Sequence, residues 1–79
     1  MRHARKDYSG IQDPSGKIPK GEPVFLLRGQ DILAPMVMEF YASQADAIGC
    51  QVELVEAVRR HAEVVRDWQQ RVKVKKADL

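Results

Sequence analysis

The chain contains one strand-like run, Val24-Phe25-Leu26-Leu27, and no second run of that kind for it to pair with. Pro19 and Pro23 precede it, and Gly29 and Pro35 follow. An extended apolar segment carries backbone N–H and C=O groups that must be satisfied somewhere. A helix face, water, a ligand or another copy of the chain has to supply the partners. Pro23 has no N–H to give to a ladder and suits the open start of an edge strand. A β-domain is thereby excluded, and the regular structure has to be helical.

Two helices are predicted beyond this segment. The first opens near Pro35, because proline at a first helical position gives up an N–H that has no intrahelical acceptor. Asp31, one turn upstream, is placed to cap the free N–H groups. The helix runs to about Ile48, where Gly49 is suited to the left-handed conformation that ends a helix. Its main apolar stripe is Val37, Phe40, Tyr41, Gln44 and Ile48, widened by Met36 and Met38. The second helix spans about residues 52–72, with Leu54, Val55, Val58, Ala62, Val65, Trp68 and Val72 on one face. The link through Cys50 and Gln51 is short enough to require an antiparallel hairpin.

The fold class is therefore mainly α: an antiparallel helical hairpin preceded by an extended Pro/Gly-rich arm with one short strand-like segment. Four regions follow: a flexible basic arm over residues 1–16, an extended segment and turn over 17–34, the hairpin over 35–72 and a basic tail over 73–79. A helix of about 20 residues is about 30 Å long and one of about 14 residues about 21 Å. The far end of the second helix, with Trp68 and Val72, thus projects past the first. The Val24–Leu27 run is the segment expected to cover it. Failing that, Trp68 is expected to anchor a contact between copies, as buried aromatic residues commonly do.

A chain of 79 residues makes one small domain with a thin margin of stability. Domains of this size draw on disulfides, metals or self-association. Cys50 is the only cysteine, and His3, Cys50 and His61 are too far apart in sequence to suggest a metal site. Self-association is the remaining route. Phe25, Leu27, Phe40, Tyr41, Trp68 and Val72 are the candidate interface residues.

Charge is unevenly distributed. Residues 1–30 carry six basic and three acidic side chains, residues 31–70 three and seven, and residues 71–79 four and one. An acidic helical body between two basic ends suits contact between copies or capture of an anion. Neither helix presents a basic face that could enter a groove, which argues against specific nucleic-acid recognition. No apolar run approaches the roughly 18 residues needed to span a bilayer. The basic start, Met1-Arg2-His3-Ala4-Arg5-Lys6, has no apolar stretch behind it to make a secretory signal. A cytoplasmic protein without a membrane partner is expected.

No catalytic constellation emerges, and the chain is read as a non-enzyme without cofactors. Cys50 has no histidine near it in sequence and suits a small packing role. Glu56 has Arg59 and Arg60 within helical reach, unlike a carboxylate poised for acid–base work. The phosphate-loop pattern Gly-x-x-x-x-Gly-Lys is absent. The best candidate for ligand binding is Arg28-Gly29-Gln30-Asp31. There an arginine, an amide and a carboxylate converge just ahead of a helix N-terminus, a setting suited to a phosphate or carboxylate. The favoured alternative is that Arg28 and Asp31 pair with each other or with the helical body and only fix the turn. Lys17 and Lys20 on the preceding loop add positive charge to this candidate site.

Four runs taken together carry a resemblance: Ile11-Gln-Asp-Pro-Ser-Gly-Lys-Ile-Pro19, Glu22-Pro-Val-Phe-Leu-Leu-Arg-Gly-Gln-Asp31, Ala34-Pro35 and Trp68-Gln69. The set resembles small accessory proteins found among phage and prophage genes, and it covers nearly all of the chain after residue 8. What the resemblance implies is context, since phages use many such proteins against host defences in the host-cell cytoplasm. The first expectation is an oligomeric binder that sequesters a small anionic, nucleotide-like ligand. The alternatives are an inhibitor that clasps a host defence protein and a phage structural or assembly factor.

Overall fold

The computed structural model describes residues 2–8 and 13–78. Two helices dominate it, α1 over Ala34–Ala47 and α2 over Val52–Arg71, packed against each other as a hairpin. Both lie within a residue of the ranges predicted from Pro35 and Gly49. Pro35 falls in the first turn of α1. Ahead of it, the Asp31 carboxylate accepts the N–H of Leu33 at 2.9 Å. At the other end Gly49 has φ +85°. Its N–H reaches the Asp46 carbonyl at 3.1 Å while that of Cys50 reaches Ala45 at 2.9 Å. This paired closure satisfies carbonyls the helix would otherwise leave open, and glycine is the residue that enters it without strain.

Before the helices lie two short strands, β1 over Arg2–His3 and β2 over Pro23–Val24, with a 3₁₀ turn over Lys6–Tyr8 between them in sequence. β1 and β2 pair in parallel, Arg2 opposite Pro23 and His3 opposite Val24. The Arg2 N–H also reaches the Glu22 carbonyl at 2.7 Å. The expectation that the strand-like run lacks an intrachain partner is thus corrected for its first residue. The partner is a basic dipeptide at the start of the chain, with none of the apolar alternation that marks a strand. Phe25, Leu26 and Leu27 continue beyond the pairing without forming strand. Residues 9–12, including Ile11 of the predicted N-terminal arm, lie outside the described residues.

The core holds the second correction. Ala34, Ala42, Ala45, Val55, Ala62 and Val65 are the buried apolar residues, and no large side chain is fully buried among the described residues. On α1 the inward face is therefore the alanine face. The predicted main stripe is not the buried one: Val37, Phe40, Tyr41 and Ile48 are all exposed. Alanines at the contact let two helix backbones approach closely, and the valines of α2 then fill the seam. Bulky residues on that face would hold the helices apart. The predicted inward face of α2 fares better, with Val55, Ala62 and Val65 buried and Val58 packed against the cluster. Cys50 packs there too, in the filler role its small size suggests. One ion pair crosses the hairpin, Arg66 to Glu39 at 2.5 Å.

The third correction concerns the projecting end of α2. Gly29 lies against Trp68, where a Cβ built on it would sit 3.8 Å from Trp68 Cε3, and residues 28–30 line a cleft with that ring. Phe25 remains 73% exposed, too open to serve as that cover. The Gln69 side chain fixes the turn by donating from Nε2 to the carbonyls of Gly29 and Asp31, both at 2.8 Å. The C-terminal tail returns to the same turn. Lys75 donates its N–H to Gln30 and accepts from the N–H of Ile32, both at 2.9 Å, forming an isolated parallel bridge beside Asp31.

Candidate functional site

That return of the tail builds a cleft of about 160 Å³ from three stretches of chain. The N-terminal segment supplies Ala4, Arg5 and Tyr8. The segment before α1 supplies Phe25, Leu26, Arg28, Gln30 and Asp31. The tail supplies Lys75, Ala77 and Asp78. Each stretch is held by hydrogen bonds: β1 by the backbone of β2, the turn by the Gln69 side chain, and the tail by the backbone of Gln30 and Ile32. The cleft floor is thus anchored indirectly to α2.

The charges in the cleft are partly matched. Arg5 lies in a two-pronged bond with Asp7, Nε to Oδ1 at 3.0 Å and Nη2 to Oδ2 at 2.9 Å. Its Nη1 donates to the Asp78 carbonyl, tying the start of the chain to its end. Its guanidinium also lies 5.0 Å from the centre of the Tyr8 ring, within the range of a cation–π contact. The Arg5 bond holds the Asp7 carboxyl below its ordinary range, with a smaller contribution from the nearby charge of Arg28. Lys75 Nζ meets Asp78 Oδ2 at 3.1 Å. The Asp31 carboxylate is engaged with the Leu33 N–H. Arg28 alone of the three cations lining the cleft forms no ion pair among the described residues.

The arrangement can offer a guanidinium, an ammonium and the amide of Gln30 to an anion. Arginine suits this role because its planar fork matches two oxygens at once. A volume of about 160 Å³ is below the roughly 300–1,000 Å³ of sites that enclose a drug-sized ligand. It suits one phosphate-sized group. The exposed Phe25 ring at the rim gives a flat apolar surface for whatever that group is attached to.

Of the residues predicted for ligand binding, the structure brings Arg28, Gln30 and Asp31 together in this cleft, while Lys17 and Lys20 are not among its lining residues. Of the predicted interface residues, Phe25 lines the cleft, Leu27 and Trp68 are half-buried, and Phe40, Tyr41 and Val72 are exposed. Arg5, Tyr8, Lys75 and Asp78 escaped the sequence reading as site residues. Lys75 had a usable signal: Val72-Lys73-Val74-Lys75 alternates apolar and basic residues at the period of a strand. Arg5 and Tyr8 had none, because their placement depends on a parallel pairing across about twenty residues.

Two further clefts flank this one. Arg28, Gly29 and Gln30 face Val64, Val65 and Trp68 across a space of about 310 Å³. Arg2, His3, Ala4, Pro23 and Val24 line another of about 280 Å³. No helix among the described residues is long and apolar enough to cross a membrane. Comparison of the chain with protein-family models, with curated proteins and with solved structures finds no match.

Proposed function

We propose that this chain is a non-catalytic binding protein that captures a small phosphate-bearing, nucleotide-like anion in the cleft between its two ends, working as a homo-oligomer. The observation that carries this reading is the position of Arg28. It lines a cleft with two other cations and, unlike them, has no carboxylate partner among the described residues. Gln69 already fixes the turn that presents Arg28, so on meeting an oxyanion the side chain alone has to be ordered and less of the contact energy is lost. Phe25 supplies the surface on which a base can stack.

The resemblance to small phage and prophage proteins supplies a setting for such capture. Sequestering a signalling nucleotide in the host-cell cytoplasm would blunt a defence without any reaction being catalysed. Calorimetric titration with cyclic and linear nucleotides, and with inorganic phosphate, tests the reading. Saturable binding is expected in the wild type and is lost in Arg28→Ala while the native mass stays unchanged. A flat titration against the whole panel would refute it.

A further inference from the structure

Most of the predicted apolar stripe of α1 stays exposed, only Met38 at its edge being half-buried, and Leu33 extends it. Leu33, Met36, Val37, Phe40, Tyr41 and Ile48 are between 41% and 79% exposed. At about 100° per residue they occupy one continuous arc, with Gln44 inside it. The alanines that meet α2 lie on the adjoining arc, continuous with this one past Tyr41, and Glu39 and Asp46 occupy the polar strip that separates the two on the other side. α1 is therefore apolar on two sides, a pattern found in helices enclosed by protein rather than lying on a surface.

From this we infer that α1 is the self-association interface of the protein, its exposed stripe packing against the same stripe of a second copy about a two-fold axis. Three features select a second copy as the occupant. First, the chain needs cover as soon as it folds: its buried core is four alanines and two valines, and the exposed arc carries more bulk than that core. A copy of itself is the partner always present in equal number. Second, the arc has no formal charge, so apposing it to itself brings no like charges together. Third, the available area is adequate. At about 150–250 Å² for a fully buried aromatic side chain, Phe40 and Tyr41 contribute roughly 200–300 Å² per protomer. The four aliphatic residues bring the total toward the roughly 800 Å² per partner of a standard interface. Exposed apolar patches of this extent are marks of protein contact.

This deepens the oligomeric part of the proposed function and rests on that reading only there; the two fail separately. Sedimentation equilibrium of the full chain at micromolar concentration is expected to give a dimer or a larger closed assembly of dimers. Phe40→Glu places a charge at the centre of the arc, and its mass is expected to fall to that of the monomer. Phe40→Cys with Cys50→Ser is expected to cross-link between protomers under mild oxidation, which keeps the test informative if the glutamate variant unfolds. A monomeric wild type, an unchanged mass in a folded Phe40→Glu, or no cross-link would each overturn the inference. None of these outcomes bears on the anion titration, and a flat titration leaves the mass result standing.

Discussion

Gln69 is the side chain on which the placement of the cleft most directly depends. Its Nε2 donates to two backbone carbonyls, Gly29 and Asp31, on either side of Gln30, whose own carbonyl receives the N–H of Lys75. Replacing it by leucine keeps the bulk but removes both bonds. A neutral hydrogen bond contributes about 0.5–1.5 kcal/mol net, so two contribute ~1–3 kcal/mol. The site is part-buried, and water reaching the released carbonyls would recover some of this, which places the loss near ~1–2 kcal/mol. In a domain of 60–100 residues each kcal/mol moves Tm by about 4–8 °C, so a fall of roughly 5–15 °C is expected. Gln69→Glu should cost at least as much, because it sets acceptor oxygens against two carbonyls. Circular-dichroism melts at one fixed protein concentration measure both, since the melting point of an oligomer depends on concentration. Both variants should also bind anions more weakly than the wild type, because the turn that presents Arg28 is no longer pinned to α2. Melting points of both variants within about 2 °C of the wild type would refute this account of the turn.

Two further perturbations test the packing and the charges. Ala42 is fully buried where the helices meet, so Ala42→Leu overpacks the seam and should destabilise by about 1–3 kcal/mol, whereas Ala57→Leu on the exposed side of α2 should stay within about 0.5 kcal/mol; urea melts compare the two. Glu39 is held below its ordinary value of 4.5, chiefly by the hydrogen bond from Arg66. A depressed carboxyl stabilises the fold above its unfolded pKa and loses that contribution as pH falls through the lower folded value. Glu39→Gln should therefore melt below the wild type at neutral pH, with the gap closing on acidification below 4.5. A gap that stays constant with pH would refute the pairing.

The hairpin was legible because its signals are local. Proline in a first turn, glycine at a helix end and apolar spacing of three and four each act within a few residues, and they placed both helices closely. The turn at residues 28–31 was legible as a meeting of donors next to a helix start. The rest of the cleft was not, because β1 is a two-residue basic segment whose strand character comes only from its distant partner. The tail stood between these cases. Its Val-Lys alternation has the period of an extended segment although the segment was read only as a basic tail, and nothing in it named the carbonyl of Gln30 as the acceptor.

The orientation of α1 shows what periodicity cannot supply. Leu33, Val37, Phe40, Tyr41 and Ile48 recur at helical spacing, and so do Ala34, Ala42 and Ala45. A hydrophobic pattern gives the angle between residues on a helix but does not say which of two apolar arcs meets the neighbour in the same chain. Side-chain volume decides that here. The valines of α2 already fill the seam, so only a face of alanines lets the helices close, and the bulky arc is turned outward. A domain that spends its smallest residues on its own core has little apolar area to hold itself together. The large residues it leaves outside are then the main reserve of stability the fold has, and they are realised only when another surface covers them. In the proposed dimer, the residues that looked like the inside of a monomer become the inside of the assembly.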